Sequence, residues 1–221
     1  MTAAGHDDIV LRIDGGDPIS AATTEAVLRI CDRAEDRSAT GLLVAYVSGA
    51  PGPRWNAELS VGLLTKWERA LRRLERLALA TVAVATGDCG GTALDVLLAT
   101  DVRIATPATR LVPPVDGEAT WPGMSLYRLA RQGGVRGVRR AALLGMPIGA
   151  AEAVALGLVD SVVGEPGATL AELATRAGAI NGKELAIRRQ LTLDADRTSF
   201  EEALGSHLAA CDRALRRAAK A

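Results

Sequence analysis

Aromatic side chains are scarce in this chain: one Phe, two Tyr and three Trp among 221 residues. Its core must therefore be built from Ala, Val, Leu and Ile, within a composition that is 48% hydrophobic. Histidine is limited to His6 and His207. Neither has a metal-ligand partner at suitable spacing, and no Gly-x-Ser-x-Gly elbow accompanies them, so no metal site and no serine-histidine peptidase is expected. The three cysteines, Cys31, Cys89 and Cys211, lie far apart without a Cys-x-x-Cys pair. That excludes a disulfide framework and fits a reducing cytoplasm. Charge of one sign is also missing, since 26 basic residues balance 26 acidic ones. The chain thus has no net field to draw nucleic acid or an anionic membrane. Basic clusters at 136–140 and 213–217 sit among apolar residues at helical spacing, as solvated helix faces do. No apolar run is long enough to span a bilayer, and residues 1–8 lack the apolar stretch of a signal peptide. The expectation is a cytoplasmic protein without nucleic-acid or membrane partners.

What is present is alternation. Residues 9–13 read as a strand, 17–20 as a capping turn, and 23–33 as a helix with Ala26, Val27, Ile30 and Cys31 at helical spacing. Residues 41–47 form a continuous apolar run, the pattern of a strand buried on both faces. A Gly/Pro-rich loop (48–54) leads to a long amphipathic helix over about 59–77, with Leu63, Leu64, Trp67, Leu71 and Leu74 on one face. A second buried strand is expected at 81–85, then a glycine turn, a helix through Ala99, and short strands at 102–105 and 110–112. A loop over 115–123 is followed by helices at 125–131, 135–144 and 149–156, a strand at 158–163, and helices at 170–179, 182–191 and 199–219. This order predicts an α/β core with a largely parallel sheet over 1–165 and a helical region over 166–221. The helical region belongs to the same domain or serves oligomerisation.

The stretch Gly87-Asp88-Cys89-Gly90-Gly91-Thr92 links a buried strand to a helix. Glycines there let backbone approach a ligand, and the helix N-terminus supplies unpaired N–H donors and a positive dipole end. Cys89 lies inside this stretch but has no histidine near it in sequence, so it reads as a small buried residue rather than a nucleophile.

Three segments resemble the crotonase (enoyl-CoA hydratase/isomerase) superfamily. Gly87 to Asp95 running into Ala99-Thr100-Asp101-Val102-Arg103-Ile104-Ala105 is similar to the family's glycine turn, helix and A-C-D-I-R-I-A strand. Trp121-Pro122-Gly123 stands where the family has I-P-G. Leu143-Leu144-Gly145, Ile148, Glu152-Ala153 and Gly157-Leu158-Val159-Asp160-Ser161-Val162-Val163 follow its L-L-T-G, I-S-A-E-E-A and G-L-V-D-x-V-V pattern. The resemblance implies a ClpP/crotonase-like spiral α/β fold with a helical C-terminal region. It also implies an acyl-CoA substrate whose thioester oxygen is held by two backbone N–H groups, with coenzyme A arriving as part of the substrate and no separate cofactor. One N–H falls to Thr92 or Gly91 and the other to Trp55 or Asn56.

Family hydratases use two glutamates around a water. Asp95 stands at the first position, and Val115, in Pro113-Pro114-Val115, at the second. Asp116 and Glu118 are the nearby acids that would stand in for the missing one. With a carboxylate displaced, hydration of a simple enoyl-CoA is expected to be weak. A small crotonase with altered carboxylates further resembles the accessory crotonases of 3,5-dihydroxyphenylglycine biosynthesis. That likeness implies dehydration and aromatisation of a polyketide thioester to 3,5-dihydroxyphenylacetyl-CoA beside a type III polyketide synthase, or else a non-catalytic enhancer that binds the synthase and its intermediate. It also implies a homo-oligomer, trimer or hexamer.

Overall fold

The computed structural model describes residues 9–36 and 41–219. His6 and the acidic segment around it lie outside these residues. Parallel strands β1 (Ile9–Asp14), β2 (Leu42–Gly49), β3 (Ala80–Gly90), β4 (Val102–Ala105) and β7 (Ser161–Val162) form the main sheet in the order β1-β2-β3-β4-β7. Helices α1 (Ala21–Asp36), α2 (Val61–Leu74) and α3 (Gly91–Leu98) fill the connections, as parallel pairing requires. Two short strands, β5 (Arg110–Val112) and β6 (Ile148–Gly149), pair with each other in antiparallel fashion beside the far end of β3. The expected α/β architecture and its C-terminal helical region are both present.

The 41–47 run behaves as its composition predicts. Side chains alternate across β2, so Leu43, Ala45 and Val47 enter one core with Trp67, Leu71 and Leu94. Leu42 and Val44 enter a second core, with Val82, Val84, Ile104 and Leu170 on the opposite face of the sheet. The capping turn before α1 is closed reciprocally: Thr23 N–H donates to Ser20 Oγ at 3.1 Å, and Ser20 N–H to Thr23 Oγ1 at 2.8 Å.

Two expectations need correction. The glycine stretch is not one turn, because β3 continues to Gly90 and α3 begins at Gly91. Gly87, at φ +62°, breaks the strand in its middle. The first half of β3 then pairs with β4, and Asp88–Gly90 pair with Arg110–Val112 of β5. The helices expected at 125–131 and 135–144 are present as the two limbs of α4 (Met124–Leu144), separated where Gly134 leaves helical geometry at φ +71°. The expected strand at 158–163 shortens to β7, because Leu158 and Val159 N–H groups turn back to the Ala153 carbonyl at the end of α5 (Ala150–Ala155).

Helices α6 (Gly167–Gly178), α7 (Gly182–Asp194) and α8 (Phe200–Ala218) follow the sheet. Helix α6 covers the second core through Leu170, and α7 is tied down by one side chain, Arg189. Its guanidinium donates to the Leu77 and Leu79 carbonyls and forks onto Asp101 at 2.5 and 2.6 Å. Asp101 in turn accepts from the Thr81 N–H and hydroxyl, both at 2.9 Å. Such charge-assisted, forked bonds are about twice as strong as neutral ones. Among the described residues no helix is long and apolar enough to cross a membrane. Replacing Arg189 with Ala should lower stability by about 2–3 kcal/mol in urea unfolding, since it takes the donor from two carbonyls and from Asp101 Oδ1, while Oδ2 keeps Thr81. It should also expose α7 and α8 to limited proteolysis before the sheet is cut.

Candidate active site

The site is built where β3 hands over to α3. Gly90 caps α3 with extended geometry and no side chain, so no side-chain acceptor takes up the first N–H groups of the helix. Gly91 sits at φ +50°, where a Cβ would lie 2.6 Å from Pro51 Cγ and 3.0 Å from the Gly15 carbonyl oxygen. Only glycine fits this junction. The Thr92 hydroxyl donates to the carbonyls of Asp14 and Asp17 at 3.1 and 3.3 Å, fastening α3 to the end of β1. Its side chain is thus committed to structure. Gly91 and Thr92 line a small recess that shares Ile19, Trp55 and Gly91 with an adjoining cavity of about 280 Å³.

Trp55 reaches this cavity from the Gly/Pro-rich loop. Its indole N–H donates to the Val115 carbonyl at 2.9 Å, and its ring meets Trp121 edge-on with centroids 5.2 Å apart. Two of the three tryptophans therefore form one aromatic wall. Asn56 is not among the lining residues; its carbonyl accepts from Leu59 N–H at 3.1 Å. Of the two candidates for the first oxyanion donor, Trp55 is the one at the cavity.

Asp95 lies one turn into α3, buried and facing the same cavity. The indole N–H of Trp67, on α2, donates to its Oδ2 at 2.9 Å. Burial pushes its carboxyl up to about 6, against the pull of that hydrogen bond, with nearby Glu68 adding to the rise and Arg128 opposing it. Burial likewise pushes the Cys89 thiol far above its usual range, and Cys89 does not line the cavity. This agrees with its place as a small core residue.

The structure does not bring Asp116 and Glu118 to the cavity. Both are exposed, on a loop pinched by a bridge between Val115 and Thr120. Asp116 is held below the usual carboxylate range by accepting the N–H groups of Ala119 and Glu118, at 3.1 and 3.2 Å. It is a turn-forming acid.

Glu68 reaches the cavity instead, and sequence inspection passed over it. It stands on α2 beside Trp67 and accepts a 2.8 Å bond from Arg128 of α4, whose Nε pairs with Glu75 at 3.0 Å. A signal existed: Leu64, Glu68, Leu71 and Glu75 recur at steps of four, three and four, so both acids lie on the apolar stripe of α2. An acid on that stripe must have a partner inside. Among the described residues no group of three or more His, Cys, Asp or Glu is arranged to hold a metal ion.

This geometry can be set against known proteins. A family model described as enoyl-CoA hydratase/isomerase matches residues 56–216. The chain belongs to the enoyl-CoA hydratase/isomerase family. It is 56% identical over 215 residues to an enoyl-CoA-hydratase of Amycolatopsis orientalis, covering 97% of this chain and 99% of that one. The fold matches an enoyl-CoA hydratase from Thermoplasma volcanium with a TM-score of 0.81 at 17% identity, covering 97% of this chain and 91% of that one. It also matches a Thermobifida fusca protein solved in complex with CoA, with a TM-score of 0.77 at 20% identity, covering 97% and 93%. Within this hydratase/isomerase family the chain is an enzyme of the crotonase type.

The raised Asp95 carboxyl has a consequence for stability. Folding raises its affinity for a proton, so its contribution is fully present below the unfolded value near 4 and is lost as pH rises through about 6. A rise of about two units corresponds to about 3 kcal/mol. Asp95→Asn keeps an acceptor for Trp67 and does not ionise. In urea unfolding, it should match wild type near pH 4 and be more stable by about 2–3 kcal/mol at pH 7.5. Equal stability of the two proteins at both pH values would refute the burial argument.

Proposed function

We propose that this hydratase/isomerase-family enzyme is a lyase that removes water from a hydroxylated CoA thioester. The observation that carries this is a buried carboxylate, Asp95, poised near neutrality one turn behind the unpaired N–H groups of α3. The N–H groups of Gly91 and Thr92, joined by that of Trp55, hold the thioester oxygen as negative charge develops on it. Asp95 carries a proton to or from the reacting oxygen, a task best done by a group whose pKa lies near the working pH. Coenzyme A comes and goes with the substrate.

The finer part of the proposal concerns which thioester. A cavity of about 280 Å³ walled by Trp55 and Trp121 suits a flat ring better than a flexible chain. This supports dehydration and aromatisation of a cyclised polyketide thioester to 3,5-dihydroxyphenylacetyl-CoA, beside a type III polyketide synthase. The three free cysteines suit a reducing cytoplasm. An enhancer that only bound the synthase would have no use for a carboxylate held in a costly buried position, so catalysis is the better account.

We further propose that 166–221 is the oligomerisation element of a single domain. Helix α8 buries no residue in the protomer and shows Phe200, Leu204, Leu208 and Leu215 to solvent. Light scattering should report a trimer or hexamer, and Leu208→Asp should shift it toward monomer. An unchanged mass in both would remove this element from the assembly.

The functional test is reconstitution. The purified protein should raise the share of aromatic product that a type III polyketide synthase makes from malonyl-CoA, while hydrating crotonyl-CoA only weakly. Asp95→Asn should cut the stimulated rate by about 100-fold. Full stimulation by the Asn variant would rule out the role given to Asp95.

A further inference from the structure

The family's second acid position is occupied by Val115, and neither neighbouring loop acid reaches the cavity. Yet the cavity is lined by two ionisable side chains, Asp95 and Glu68. They come from different helices, α3 and α2, and are set by adjacent residues: Trp67 fixes Asp95 while the next residue, Glu68, opens on the same space. We propose that Glu68 is the second catalytic carboxylate of this enzyme, the base that takes the proton from the carbon next to the thioester. The proposal rests on the dehydratase reading above.

The partner of Glu68 is shared with a second carboxylate. Arg128 is buried and shared between Glu68 at 2.8 Å and Glu75 at 3.0 Å. Glu75 also pairs with Arg72 at 2.7 Å and does not line the cavity. When Glu68 is neutralised, Glu75 still compensates the Arg128 guanidinium, so no buried charge is stranded. A purely structural ion pair would have no need to present one of its two carboxylates to the cavity.

The Glu68 carboxylate takes the Cα proton, and the C–H electron pair moves toward the thioester oxygen, held by the Gly91 and Thr92 N–H groups. The pair returns to form the Cα=Cβ bond, the Cβ–O bond breaks, and Asp95 in its protonated form gives its proton to the departing hydroxyl. Water leaves with Glu68 protonated and Asp95 ionised. Transfer of one proton from Glu68 to Asp95 through solvent restores the starting state.

Proton exchange at Cα isolates the Glu68 half of this cycle, because it needs the base and the oxyanion donors but no leaving group. The probe is phenylacetyl-CoA in D2O, followed by NMR, with its Kd measured in parallel. Glu68→Gln should slow exchange by about 100-fold while binding stays within about threefold. Glu75→Gln, which removes the other half of the Arg128 pairing, should stay within about fivefold of wild type. Glu68→Asp keeps a carboxylate on a shorter stem and should recover part of the lost rate, which separates lost chemistry from lost folding. Wild-type exchange in Glu68→Gln, or an equal loss in Glu75→Gln, overturns the assignment. Asp95→Asn that keeps wild-type exchange and still stimulates formation of aromatic product at the wild-type rate overturns the reading of Asp95 alone. Absence of exchange in the wild-type protein overturns both.

Discussion

Helix α3 is buried on every side, and that one constraint organises the molecule around it. All eight of its residues are shielded from solvent, although its N-terminus carries donors that no side chain caps. A buried helix end with unpaired N–H groups is normally a defect. Here the defect is aimed at a cavity, and the chain around it exists to hold that aim. Gly87 bends β3 away from β4, Gly91 permits contact with Pro51 and Gly15, and the Thr92 hydroxyl ties the first turn to β1. These fastenings use side chains and carbonyls, so the first backbone N–H groups of α3 remain without a side-chain acceptor.

The same burial sets the electrostatics. Burial of all eight residues leaves Asp95 little solvent beyond the cavity it faces, and the indole N–H of Trp67 does not make up the difference. The carboxyl therefore rises toward neutrality, in the direction an acid-base group needs, and the helix loses stability for it. Arg128 moderates the effect from α4 by keeping two further carboxylates company. Helix α2 thus has a dual part. Its apolar stripe carries Trp67 and Leu71 into the core, and its two acids on that stripe anchor the charge that would otherwise be unpaired.

Most of the fold was legible because periodicity reports burial. The run at 41–47 could only be a strand covered on both faces, and two cores on opposite sides of β2 bear that out. Where glycine changes direction inside a strand, periodicity fails: the break at Gly87 leaves no mark in hydrophobic spacing, whereas the glycines before Val135 did mark the interruption of α4 at Gly134. The site was legible where it depends on backbone, at Gly91, Thr92 and Asp95, since a strand-glycine-helix order fixes what faces the junction. It was illegible where it depends on loops. Asp116 and Glu118 are near Val115 in sequence, but the Val115–Thr120 bridge and the turn closed by Asp116 leave both on the exposed outside of that loop. Glu68 was hidden for the opposite reason, being distant in sequence and surrounded by surface arginines on the same helix.

The loop that carries Val115 supports the aromatic side of the cavity. The Val115 carbonyl accepts from the Trp55 indole N–H, and Trp55 braces Trp121 edge-on. Position 115 therefore serves the site through its backbone, by holding one ring of that wall in place. The ionisable side chains of the cavity, Asp95 and Glu68, come from α3 and α2, and Ser125 of α4 adds a hydroxyl. Three helices thus supply the polar lining, while the loops around Trp55 and Trp121 supply the aromatic one. Because the carboxylates stand on packed helices rather than on those loops, their position is fixed by the core itself.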